Sequence, residues 1–180
     1  VEKYILSKKN PSYDPTILRF ATAFGYSPRM RFDLTINHFC YSMLKDNKIE
    51  VFDPKSWRPY CHVKDFSRLI LKVLHSDSQS IRKKVFNAGS DQNNFTKEDI
   101  VNLIKKRLPE TNVFFKKDGV DKRDYRVSFN RVENELGFKA KYDVNYGIDE
   151  ILTLLNKNNS FLEEDALNYR GNFEIIKKFE

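Results

Sequence analysis

The sequence predicts an α/β fold, and three observations carry the prediction. Short apolar runs ending in glycine or turn residues alternate with segments whose apolar residues recur at helical spacing. The 180 residues are 40% hydrophobic and 32% charged, which is too apolar for a disordered chain and too charged for a membrane protein. The strands are short and unevenly spaced, which argues against a regular doubly wound unit.

Residues 2–9 read as the end of a helix that stops at Asn10-Pro11, because proline disfavours helix in the residue before it. Thr16 to Phe20 reads as a buried strand running into a strand-end loop, Ala21 to Gly25. Met30 to about Leu44 fits an amphipathic helix, with Leu34, Ile36, Phe39, Met43 and Leu44 for its buried side. Ile49 to Phe52 alternates like a strand, Pro54 to Pro59 is turn-rich, and Tyr60 to Val63 is a short strand before a helix from Lys64 to about Leu74. Val85 to Gly89 is another apolar strand, whose Asn87 is expected to anchor backbone. Thr96 opens a helix with Asp99 three residues on, close to a capping box, and that helix stops before Pro109. Asn112 to Phe115 is a strand, Asn130 caps a short helix ended by Gly137, and Gly147 to about Leu155 is helical. Residues 156–180 are polar with scattered aromatics and read as a C-terminal arm.

Charge and chemistry-bearing residues narrow the function. The net charge is +7, but basic residues are interleaved with acidic ones and form no stripe with aromatics between them. A nucleic-acid-binding domain is therefore the least favoured reading. No apolar run is long enough for a transmembrane helix, and the first residues lack a signal-peptide pattern. Cys40 and Cys61 are too few for a disulfide framework and suit reduced thiols in the cytoplasm. His38, His62 and His75 have no metal-ligand spacing, so no metal ligand is expected.

Motifs in order make the sequence recognisable. Leu18-Arg19-Phe20-Ala21-Thr22-Ala23-Phe24-Gly25 and Trp57-Arg58-Pro59-Tyr60-Cys61-His62-Val63-Lys64-Asp65 resemble the extended short-chain dehydrogenases. Phe86-Asn87-Ala88-Gly89-Ser90 and Leu136-Gly137-Phe138 continue the match. This is the NAD-dependent nucleotide-sugar epimerase/dehydratase family. Ser27 to Leu34 and Asp121 to Val127 look like one sugar-epimerase-like subgroup.

The resemblance implies a mixed α/β substrate-binding lobe carrying the last elements of a Rossmann domain: residues 1–25 as its remnant, 26–155 as the lobe and 156–180 as the arm. Family members begin with a Gly-rich loop that holds the pyrophosphate at a helix N-terminus. The six glycines here are too far apart for one, so the NAD-binding half is read as absent and NAD is expected only in the complete enzyme. Tyr4 and Lys8 have the spacing of the family's catalytic pair, but they lie too close to Arg19. The register instead puts Glu2 on a family glutamate one turn after the catalytic lysine, so no catalytic residue is expected in this chain. Relatives clamp the nucleotide diphosphate between arginines, whose planar forks bind phosphate bidentately. Motif position points to Arg58 and Arg126 first, then Arg123 and Arg31, with Asn37 as a further contact. Thr22 and Phe24 fall on the loop that borders the nicotinamide. The implied function is the substrate-recognising half of a cytoplasmic, homo-oligomeric NAD-dependent epimerase/dehydratase that binds a nucleotide diphosphate-sugar. The alternative is a stand-alone, non-catalytic module of the same fold.

Overall fold

In the computed structural model, which describes residues 1–7, 13–117, 119 and 123–158, three small sheets are joined by helices. β1 (Ile17–Phe20) pairs parallel with β5 (Val85–Ala88), Phe20 lying opposite Ala88. β2 (Thr22–Phe24) runs parallel to β4 (Trp57–His62), and β6 (Asn94–Thr96) joins β4 antiparallel. β3 (Lys48–Phe52) pairs parallel with β7 (Asn112–Lys116). The helices are α1 (Glu2–Ser7), α2 (Thr35–Lys45), α3 (Val63–Leu74), α4 (Ser78–Ile81), α5 (Lys97–Lys105), α6 (Asn130–Leu136) and α7 (Val144–Lys157).

Two cores result. The larger gathers α2, α5, α7 and the β2, β3 and β4 side chains, with Phe24, Ile36, Tyr60, Ile100 and Ile148 fully buried. The smaller lies around β5, α3 and α6 and contains Leu69, Phe86, Phe129 and Phe138. Two glycines allow close packing at the larger core, and one buried carboxylate ties the two cores together. Gly25 (φ +101°) lets the chain turn against His62, and Gly147 lets α7 lie on the Phe24 ring. Asp65 on α3 is fully buried and accepts from the Lys141 and Tyr142 N–H groups, binding α3 to the entry of α7.

Several elements depart from the sequence expectation. The helix expected from Met30 begins at Thr35, because Met30 and Phe32 are buried and Arg31 and Asp33 are not. That period of two belongs to extended backbone. The expected strand-end loop at residues 21–25 contains a strand of its own, β2. The turn-rich stretch up to Pro59 is in fact strand from Trp57. Proline is tolerated there because β6 pairs only with Trp57 to Pro59 and β2 only with Tyr60 to His62, so Pro59 sits where β4 changes neighbours. Asn130 is the first helical residue rather than the cap of α6, and Phe129 precedes it without a side-chain cap. Arg126 lies in irregular chain, not at the start of a strand. Other expectations hold. Thr96 and Asp99 form a complete capping box, and Gly137 ends α6 in the left-handed conformation. Lys8, Asp121, Lys122 and residues 159–180 of the expected arm lie outside the described residues. Among the described residues no helix is long and apolar enough to cross a membrane.

Candidate functional site

The candidate site lies at the carboxyl ends of β1 and β5, the edge where ligands bind in open α/β sheets. A cavity of about 430 Å³ opens there, lined by Arg19, Pro59, Asn87, Tyr125, Arg126 and Phe129 among others. A second, of about 470 Å³, shares Arg126 and is bounded by Trp57, Asp91 and Asn94. Arg126 is thus common to both, and its side chain is exposed.

Two dipeptides interleave at this site. The Arg126 guanidinium lies over the Trp57 ring, 4.6 Å from its centroid, and the Arg58 guanidinium over Tyr125 at 5.5 Å. Cation–π contacts of this kind orient a guanidinium while leaving its N–H edge open to an anion. The backbone agrees with the stacking: Trp57 N–H donates to Asp124 Oδ1 at 2.8 Å, and Tyr125 N–H to Trp57 O at 3.3 Å.

The sequence-derived candidates separate into groups. Arg126 and Arg58 come together through their aromatic partners, but their surroundings differ. Arg58 is only 5% exposed and donates to Trp57 O, whereas Arg126 faces the cavities. Arg123 is exposed on the same irregular segment. Arg31 lies apart, in a two-pronged pair with Asp33 at 2.6 and 2.9 Å that raises the Arg31 pKa. Asn37 is buried, accepts from Gly25 N–H and donates to Arg31 O, so its amide fastens the two ends of the 25–31 loop. Phe24 is fully buried against the His62 ring, and Thr22 pairs with Tyr60 within the sheet. Tyr4 is exposed on α1. Glu2 forms a two-pronged ion pair with Arg19, which joins α1 to β1 beside the cavity.

A second polar cluster was not singled out in the sequence. His62, fully buried, meets Glu150 at 2.9 Å through Nε2 and accepts from Lys64 N–H through Nδ1, capping α3. Glu150 also accepts from Tyr26 N–H and from the Lys64 ammonium. Burial lowers the His62 pKa, against the opposing pull of Glu150. Burial alone would raise the Glu150 pKa, but hydrogen bonds from Lys64, Tyr26 and His62 hold it below the ordinary carboxylate value. The Lys64 ammonium is pushed up to about 12 by its bonds to Glu150 and Tyr146. A histidine between a strand and a helix was the only sequence signal for this cluster.

A family model described as the NAD dependent epimerase/dehydratase family matches residues 2–89, from α1 through β5. Over those residues the chain is similar to the NAD-dependent epimerase/dehydratase family. Solved structures of similar fold include a dTDP-glucose 4,6-dehydratase from Bacillus anthracis in complex with NAD. It is 25% identical, with a TM-score of 0.66, and the match covers 81% of this chain and 47% of that one. A UDP-glucose 4-epimerase from Thermotoga maritima, solved with UDP-glucose, is 22% identical, with a TM-score of 0.68 and coverage of 81% and 48%. An NAD-dependent NDP-hexosamine 5,6-dehydratase of tunicamycin biosynthesis is 18% identical, with a TM-score of 0.71 and coverage of 87% and 51%. The chain spans about half the length of these structures.

The family name implies NAD, and the glycines that follow β2 and β5 are not open to its pyrophosphate. A diphosphate held by backbone needs a glycine whose Cα side is open. The glycines after β2 and β5 are filled from within. A Cβ on Gly25 would lie 2.2 Å from His62 Nε2, and one on Gly89 would lie 2.6 Å from the Phe129 ring. Among the described residues no group of three or more metal-ligating side chains is assembled.

Proposed function

We propose that this chain is the C-terminal, substrate-recognising half of an NAD-dependent nucleotide-sugar epimerase/dehydratase. The observation that carries the reading is Arg126: an exposed guanidinium, oriented by Trp57, at the mouth of both cavities beside the carboxyl ends of β1 and β5. In this reading Arg126, with Arg123 on the same segment, binds the diphosphate of the nucleotide sugar. Arg58 acts through Tyr125 and holds that segment in place. The Glu2–Arg19 pair supports the register in which Tyr4 is not the catalytic base, so the hydride chemistry and the NAD pyrophosphate belong to a dinucleotide-binding half outside this sequence.

Binding of UDP, GDP, CDP and dTDP to the wild type, to Arg126→Ala and to Arg58→Ala tests the reading. A charge-assisted contact contributes about 1.5–3 kcal/mol, so Arg126→Ala should weaken the preferred nucleotide about ten- to a hundred-fold with an unchanged melting temperature. Arg58→Ala should lower the melting temperature, because it empties a buried site. Equal nucleotide affinity in wild type and Arg126→Ala, measured by calorimetry, would reject the assignment. Micromolar NAD binding by the chain alone would reject the division of labour.

A further inference from the structure

Residues 123–129 belong to no helix or strand, yet the backbone is held at Tyr125, Val127, Ser128 and Phe129. The partners are chiefly side chains rather than a neighbouring strand. Val127 N–H donates to Asn94 Oδ1 at 3.0 Å, and Asn94 Nδ2 donates to Val127 O at 3.0 Å. Asn87 Nδ2 donates to Ser128 O at 3.0 Å, and Phe129 N–H to Asp91 Oδ1 at 3.2 Å. Asp124 accepts from Trp57 N–H at the other end. Asn87 lies on β5, Asp91 in the short connection and Asn94 at the start of β6, so one stretch of chain clamps another. A carboxamide has the donor and acceptor geometry of a peptide group. Asn94 therefore stands in for one residue of a β-ladder, and its Nδ2 also donates to Asp91 O.

We infer that Asn94 is a positioning residue: its carboxamide sets the register of the 124–129 strap and so places Arg126 on Trp57 at the cavity mouth. The strap alternates. Val127 and Phe129 turn inward to the smaller core, while Arg126 and Ser128 face outward. A slip of one residue would exchange the two faces and bring Arg126 to the position where Val127 packs. The core anchors at Val127 and Phe129 resist detachment, but only the paired bonds at Val127 fix both backbone groups of the residue next to Arg126. The ligand consequence rests on the diphosphate reading above; the strap geometry does not.

Trp57 is the single tryptophan of the chain and lies under Arg126, so its fluorescence reports the strap with no ligand present. Acrylamide quenching of Trp57 is compared in wild type, Asn94→Ala, Asn94→Asp and Arg126→Ala, with far-UV circular dichroism to follow folding. Aspartate keeps the acceptor for Val127 N–H but sets a carboxylate against the Val127 and Asp91 carbonyls, so both Asn94 variants should expose Trp57 as much as Arg126→Ala does. Affinity for the preferred nucleoside diphosphate should fall about tenfold in each Asn94 variant. Hydrogen exchange on the wild type should show the Val127 amide slower than its exposed neighbours Arg126 and Ser128. The inference is overturned if Asn94 variants that remain folded quench like wild type. It is overturned equally if Arg126→Ala leaves quenching unchanged, or if Val127 exchanges as fast as those neighbours. If quenching and exchange behave as expected and the wild type binds none of UDP, GDP, CDP and dTDP, the strap stands and the diphosphate reading fails.

Discussion

His62 has no exposed surface, and its two ring nitrogens are committed to different neighbours. Nδ1 accepts from the Lys64 N–H, so in the neutral ring the proton sits on Nε2 and is donated to Glu150. Protonating Nδ1 would break the cap of α3 and place a cation in a buried site beside the Lys64 ammonium. Both His62 and Glu150 have folded-state pKa values below their ordinary ones, 6.5 and 4.5. For both, the unfolded state binds the proton more tightly, so stability is present above the ordinary pKa and is lost as pH falls. The melting temperature should therefore decline as pH drops below about 6.5 and decline again below about 4.5. His62→Asn keeps a side-chain cap for α3 and removes the His62 titration. Its melting temperature should fall less steeply between pH 7 and 5.5 than that of the wild type, the remaining slope coming from His38, whose pKa burial also lowers, and parallel slopes in the two proteins would show that His62 is not the group responsible. The same scale separates the two arginines. Both were read from motif position as diphosphate contacts, but one lies buried under Tyr125 and the other stands in the open on Trp57. Burial, which motif position does not encode, separates the surroundings of the two side chains.

Among the elements, α5 has the most complete local instructions. Thr96 Oγ1 accepts from Asp99 N–H at 3.1 Å, and Asp99 Oδ2 accepts from Thr96 N–H at 3.0 Å. Two of the helix's unpaired N-terminal donors are thereby satisfied, and the apolar residues Ile100 and Ile104 then enter the larger core. Thr96→Ala should cost about 0.5–2 kcal/mol, and Thr96→Ser much less, by urea denaturation. A loss in the serine variant as large as in alanine would assign the effect to the threonine methyl group rather than to the cap. β4 is the contrary case. Its six residues contain a proline and follow a turn, and local signals divide it into turn and strand. It forms one strand because two different neighbours, β6 and β2, each pair with half of it.

For the whole molecule, the β1–β5 sheet is the exposed feature. Among the described residues it has two strands, both parallel, and β1 is paired on one side only. Parallel sheets occur almost only where strands and faces are covered, and two strands alone are marginal in water. Phe20 at the end of β1 is 47% exposed, and Ile70, Leu71 and Leu74 on α3 are exposed beside the same core. The open strand edge and this apolar face offer a template for pairing. The chain studied by itself should therefore associate with increasing concentration in sedimentation velocity, and Leu71→Lys with Leu74→Lys should suppress the association. A monomer at all concentrations would show that β1 and α3 need no cover.

The sequence by itself determined whatever depends on neighbours along the chain. The capping box at Thr96, the left-handed stop at Gly137, the alternation of β3 and the ordered motifs that resemble the epimerase/dehydratase family were all legible, because each is a relation among residues a few positions apart, whereas β1, expected to be a buried strand, is half exposed. Tertiary structure alone decided the division of β4, the Glu150–His62 contact across 88 positions, and the burial of Arg58 against the exposure of Arg126. It also decided that the amides of Asn87 and Asn94 and the carboxylate of Asp91 would take the place of a strand beside residues 127–129. Asparagine and aspartate favour turns locally, and their side chains can serve distant backbone only after folding has brought it within 3 Å or so.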